Sequence, residues 1–169
     1  GRKPDRPQGA VKTLLIGIGN PGRGDDGLGP ALVERLTGNR PPERTVIPAA
    51  GGSVDAYWTY QLNIEDASLL REYGRVVFAD AAVDAAAPAE LLPLDPAASI
   101  AFTSHEMSPA SVLALAEELY GGSPAARLLR IGGAEWGFVE RLSAEAGRHL
   151  DEAERLFWEF AGPARTITR

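Results

Sequence analysis

Two adjacent aspartates, Asp25 and Asp26, with Asp80 and His105, are the residues of this chain whose types could do chemistry together. Two carboxylates and an imidazole form a mixed oxygen–nitrogen donor set of the kind that suits a divalent transition metal. Three protein ligands leave coordination positions open, which fits catalysis or capture of a metal carried by a partner. The chain has no cysteine, so thiolate zinc sites, iron–sulfur ligation, disulfides and a cysteine nucleophile are all excluded.

Each of these residues also has a plainer reading. An acid near a helix start satisfies orphan N–H groups and favours the helix dipole. Neighbouring residues point in different directions, so one of Asp25 and Asp26 can cap or pack while the other faces a crevice. Asp80 can terminate a turn, and His105 can be an ordinary loop histidine. The other histidine, His149, falls within a predicted amphipathic helix away from the strand ends and reads as a surface residue. The glycine-rich run from Gly17 to Gly29 could cradle a phosphate at a helix N-terminus. It lacks the G-x-G-x-x-G spacing, however, because Asn20, Pro21 and Gly22 follow Gly19, and it has no Walker lysine. Two acids where a phosphate would sit argue further against an anion site. What remains unexplained locally is the set: Asp26, Asp80 and His105 are far apart in sequence.

The elements that must bring them together alternate between two periodicities. Val11 to Ile18 is short, β-branched and nearly all apolar, as expected of a buried parallel strand. A helical pattern follows through Ala31, Leu32, Val33 and Leu36 and closes at Gly38-Asn39. Strands are predicted at Thr45–Ile47, Val76–Ala79, Leu128–Ile131 and, weakly, Glu90–Leu92. The stretch from Val54 to about Glu72 reads as a helix with one apolar face. Ser108-Pro109 is a helix start, with Ser as N-cap and Pro at the first position, and that helix stops at Gly121-Gly122. A final helix fits Ser143 to Phe160. Strands alternating with helices predict one α/β domain over residues 11–169, a three-layer α/β/α sandwich with a mainly parallel central sheet. In such sheets function collects at the carboxyl ends of the strands. The loops at 19–29, 80–81 and 103–109 all lie there in this reading.

The bulk properties exclude several partners. The chain is 44% apolar and 24% charged, as in ordinary globular proteins. A net charge of −6, with Lys and Arg spread along the chain, disfavours nucleic acid. No apolar stretch approaches the roughly 20 residues of a membrane helix. Residues 1–10 are polar, carry Pro4 and Pro7, and read as a flexible tail, not a signal peptide. A cytoplasmic monomer is the resulting expectation.

The run Gly17-Ile18-Gly19-Asn20, four intervening residues, then Asp25-Asp26-Gly27-Leu28-Gly29 resembles the opening signature of nickel–iron hydrogenase maturation endopeptidases. The resemblance continues through Gly51-Gly52-Ser53, Val77-Phe78-Ala79-Asp80-Ala81 and Ser104-His105-Glu106-Met107-Ser108-Pro109. It spans residues 11 to about 120 in order and spacing. The last third, including Gly132-Gly133-Ala134-Glu135-Trp136-Gly137, matches less clearly and carries no function.

This resemblance implies that Asp26, Asp80 and His105 correspond to the family's nickel-site ligands, with Asp26 standing where some members have Glu. It implies a protease that docks on a hydrogenase large subunit precursor whose nickel is already inserted and removes its C-terminal extension. The nickel is supplied by that substrate; zinc or cadmium could occupy the same site. With no cysteine, and no serine in a nucleophile elbow, a water activated by metal or carboxylate is the expected nucleophile, and either Asp25 or Asp26 could be its base. Two rivals differ in class. Gly17-Ile18-Gly19-Asn20-Pro21-Gly22 also resembles the opening of peptidyl-tRNA hydrolases, but the Arg-His-Asn step that family needs is replaced by Arg23-Gly24-Asp25-Asp26. A noncatalytic metal-binding or chaperone role on the same scaffold would bind nickel or precursor and shorten nothing.

Overall fold

The computed structural model describes residues 11–38, 45–49, 52–99, 102–103 and 106–162. The predicted N-terminal tail and His105 lie outside the described residues. The described chain runs β1 (Thr13–Ile18), α1 (Leu28–Thr37), β2 (Thr45–Ala49), β3 (Gly52–Thr59), α2 (Ile64–Leu69), β4 (Arg75–Ala82), β5 (Ala89–Leu94), β6 (Phe102–Thr103), β7 (Glu106–Met107), α3 (Pro109–Tyr120), β8 (Ala125–Gly132) and α4 (Ala144–Ala161).

Six strands form the central sheet in the order β2-β3-β1-β4-β8-β5. The four inner strands are mutually parallel, and β2 and β5 close the two sides antiparallel. Side chains alternate across this sheet, so each inner strand serves two cores. Leu15, Val77, Ala79, Leu129 and Ile131 meet Leu32 and Val33 of α1 and Leu150 and Phe157 of α4. On the other face Leu14, Ile16, Val76 and Phe78 meet Ala67 of α2 and Val112, Leu113 and Ala116 of α3. This is the expected three-layer sandwich.

Local signals account for the helix ends. Gly38 takes the left-handed conformation at φ 80° that ends α1, and Gly121 does the same for α3. Ser108 and Ser143 cap α3 and α4 through their hydroxyls, each accepting an amide at 3.1 Å.

One expectation is overturned. The helix expected from Val54 to about Glu72 is instead the strand β3, the short helix α2 and a single 3-10 turn over Leu70–Glu72. Along β3 the burial has period two: Val54 and Ala56 enter one core and Tyr57 the other. Pairing with β1 on one side and β2 on the other outweighs the weak helical pattern, in a segment whose Val, Tyr, Trp and Thr favour pleated surfaces. The polar side chains on this strand are satisfied across the layer: Tyr57 donates to Asp66 at 2.6 Å. Asn63 and Asp66 form a reciprocal capping box that starts α2 ten residues later than the sequence pattern suggests.

Candidate functional site at the switch point of the sheet

From β1 the chain passes to β2 and β3 on one side of the sheet, then crosses back to β4 on the other side of β1. The strand order therefore reverses between β1 and β4, where open α/β sheets leave a crevice at the carboxyl ends. Asp26 follows β1, and Asp80 lies directly across the ladder from Ile18, the last residue of β1. The two acids flank that crevice. Strand β4 runs on past Asp80 to Ala82, paired only with β8, so Asp80 sits within the strand, not after it.

The first loop holds its shape through its own polar groups. Asn20 Oδ1 accepts the Gly22 amide at 2.8 Å, an Asx turn that folds the Pro21-Gly22 corner. The Asn20 amide in turn donates to Asp26 Oδ2 at 2.8 Å. Gly29 lets α1 sit on the strands: a Cβ there would meet Ala79 O at 2.5 Å and Ile18 N and O at 2.6 Å. Only a residue without a Cβ allows this approach.

Asp25 and Asp26 separate as neighbouring residues should. Asp26 is half-buried with one carboxylate oxygen engaged by Asn20. Asp25 is completely buried. Its carboxylate accepts the amides of Ala134 at 2.7 Å and Glu135 at 2.8 Å, and both the amide and hydroxyl of Ser143 at 2.8 and 2.7 Å. Burial alone would raise its pKa; the bonds from Ala134, Glu135 and Ser143 outweigh it and hold the carboxyl below the usual aspartate range. Neither aspartate caps α1, which has no side-chain cap.

Asp80 is perturbed in the opposite direction. Burial pushes its pKa up to about 6, the Ala81 amide bonded to it at 2.9 Å opposes this, the charge of Asp26 adds to the rise, and Arg130 offsets part of it. A carboxylate pair that holds its second charge reluctantly is a site that a cation would stabilise. Both carboxylates are hard oxygen donors suited to a divalent metal. Among the described residues no three His, Cys, Asp or Glu side chains assemble into a metal-binding group. His105, the third ligand that the sequence resemblance implies, lies outside the described residues.

A cleft of about 340 Å³ opens beside Asp80, lined by Ile18, Tyr60, Leu62, Glu106, Met107 and Pro109. Glu106 to Pro109 follow His105 directly in the chain. β7 is tied to the cleft wall by the bridge between Met107 and Leu62.

Three features of the site were not visible in the sequence. Ser143 and the Ala134-Glu135 amides hold Asp25 from more than 100 residues away, and Arg130 reaches Asp80 from β8. His149, expected on the surface away from the strand ends, instead places Nδ1 2.7 Å from Gly132 O at the carboxyl end of β8. The helical pattern of α4 could not show which strand end His149 meets.

No protein-family model matches the chain, and no curated protein sequence matches it. Solved structures do match. The hydrogenase maturating endopeptidase HybD from E. coli superimposes with a TM-score of 0.64 at 19% identity, over 86% of this chain and 89% of that one. A hydrogenase 2 maturation peptidase from Thaumarchaeota archaeon SCGC_AB-539-E09 gives 0.60 at 24% identity, over 88% and 96%. The [NiFe] hydrogenase maturation protease HycI from Thermococcus kodakarensis KOD1 gives 0.60 at 21% identity, over 90% and 93%. At these identities the likeness speaks for architecture: the chain has the fold that [NiFe] hydrogenase maturation proteases adopt, along nearly their whole length.

Proposed function

We propose that this protein is a hydrogenase maturation endopeptidase that removes the C-terminal extension of a nickel-loaded [NiFe]-hydrogenase large subunit precursor. The observation that carries the reading is the placement of Asp26 and Asp80 on either side of the β1–β4 switch point, in a chain with the fold of such proteases. The sequence resemblance names these same two residues, with His105, as the nickel-site ligands. Nickel belongs to the substrate in this reading, and recognition of the loaded precursor is its role.

In the mechanism, Asp80 and Asp26 meet the substrate's metal with carboxylate oxygens. Its charge offsets the burial, and the smaller repulsion from Asp26, that raise the Asp80 pKa. The scissile segment lies in the adjoining cleft between Tyr60 and Pro109. We assign the base that activates water to Asp26 and not to Asp25. Asp25 is fully buried, and its carboxylate already accepts four protein donors, three on Oδ2 and one on Oδ1, so no side of it is open to a substrate water. Asp26 keeps an oxygen free of the hydrogen bond to Asn20.

The direct test is incubation of the protein with its cognate unprocessed large subunit, followed by separation of the products. A shortened subunit and one released C-terminal peptide are expected. Stable binding of the loaded precursor with no shorter product would leave the chaperone reading in its place.

A further inference from the structure

The segment that joins β8 to α4, residues 133–143, forms neither helix nor strand, yet it is fastened to the first loop from end to end. Asp25 receives four hydrogen bonds from it: the Ala134 and Glu135 amides near its start, and the Ser143 amide and hydroxyl at its finish. The first loop donates in return, Asp25 N to Glu135 O and Gly24 N to Val139 O, both at 2.8 Å. Two glycines make this approach possible. Gly24 stands at φ +55° and a Cβ there would meet Glu135 O at 2.6 Å; a Cβ on Gly133 would come within 2.9 Å of Asp25 Cβ. Above the clasp the Arg23 guanidinium lies 4.9 Å from the ring centre of Phe138.

A fully buried carboxylate with four donors is an expensive feature for a loop to carry if that loop needs only to turn. Its effect falls on its neighbour. Asp26 shares a peptide with Asp25, and among the described residues its side chain is tied by the Asn20 amide alone. Fixing Asp25 against α4 fixes where the Asp26 carboxylate stands in the crevice. Ser143 is the pivot, since the same hydroxyl that donates to Asp25 accepts the Ala146 amide and so starts α4.

We propose that Asp25 is a positioning residue, which clasps the 133–143 segment through Ser143 and thereby sets the place of Asp26 for the processing reaction. The proposal rests on the endopeptidase reading for its kinetic consequence, but its geometric consequence stands without it. Misplacement of a reacting group by about 1 Å typically costs on the order of 100-fold in rate.

The experiment uses Ser143, which lies outside the reacting groups. Ser143→Ala removes the donor and the cap together. Ser143→Asp keeps an acceptor for the Ala146 amide but places a second negative charge against Asp25. Ser143→Thr retains both roles. Single-turnover cleavage of the nickel-loaded precursor is measured against protease concentration, with hydrogen exchange of the Asn20 amide followed by NMR in the same proteins. The expected result is a maximal rate about 10- to 100-fold lower for the Ala and Asp variants, with half-saturation unchanged, faster Asn20 exchange in both, and both restored by Thr. Wild-type rate and wild-type Asn20 protection in the Ser143→Asp variant would overturn the proposal. If the wild-type protein cleaves no precursor, the endopeptidase reading fails, and Asn20 exchange still decides whether the clasp governs Asp26.

Discussion

Asp26 raises the proton affinity of Asp80 across the mouth of the sheet, although 54 residues separate them in the chain. The coupling exists because β1 and β4 are neighbours whose paired ladder ends at Ile18 and Asp80. Burial of Asp80 is the larger cause of its raised pKa, and with the Asp26 charge it makes the ionised form of Asp80 costly to hold in the fold.

That cost gives the first prediction. Asp80 has a folded-state pKa of about 6, above the ordinary 3.8, so the folded protein binds more protons than the unfolded chain between these values. Stability therefore declines as pH rises from about 4 through 6, and the full penalty is present above that window. Asp80→Asn, which keeps an acceptor for the Ala81 amide, should raise the metal-free protein's stability at pH 8 by on the order of 1–3 kcal/mol, and by much less at pH 4. Urea denaturation at the two pH values checks this; an equal or absent gain would contradict the burial argument. The same variant is expected to lose processing.

Asp25 and Asp26 should separate under mutation. Asp25→Ala strands buried donors from Ala134, Glu135 and Ser143 and is expected to lose roughly 3 kcal/mol or more of stability. Asp26→Ala gives up one hydrogen bond at a half-buried position, so a loss of about 1 kcal/mol is expected, with processing abolished. Chemical denaturation beside a cleavage assay distinguishes the two. Equal stability losses would show that the burial difference does not govern the loop.

The fold class was legible in the sequence for physical reasons. β1 and β4 are buried on both faces and read as short apolar runs, while Gly38, Ser108 and Gly121 mark helix ends through local backbone chemistry. Val54 to Thr59 misled because its apolar residues fit either period, and only its two strand partners decide between them. The Asp25 clasp was hidden for a different reason. Its donors are backbone amides and a serine more than 100 positions away, and neither carries a sequence signal.

Gly29 offers a packing test independent of chemistry. Gly29→Ala drives a methyl into the Ala79 carbonyl and the Ile18 backbone, and overpacking of this kind costs about 1–3 kcal/mol or more. Gly121→Ala meets open space and pays only for its φ of +80°, about 1 kcal/mol. Thermal melts should order them Gly29→Ala well below Gly121→Ala. The reverse order would refute the close α1–sheet approach.

His105 lies outside the described residues, and its assignment rests on the sequence resemblance. His105→Ala is expected to abolish processing with an unchanged circular dichroism spectrum. Normal processing by that variant would remove the imidazole from the ligand set.

The most direct measurement is intact-mass spectrometry of the cognate large subunit precursor after incubation with this protein, nickel-loaded beside nickel-free. Loss of one C-terminal peptide from the loaded precursor alone is the result this account requires. Cleavage of both forms would contradict the metal gate at Asp26 and Asp80, and cleavage of neither would contradict the protease reading itself.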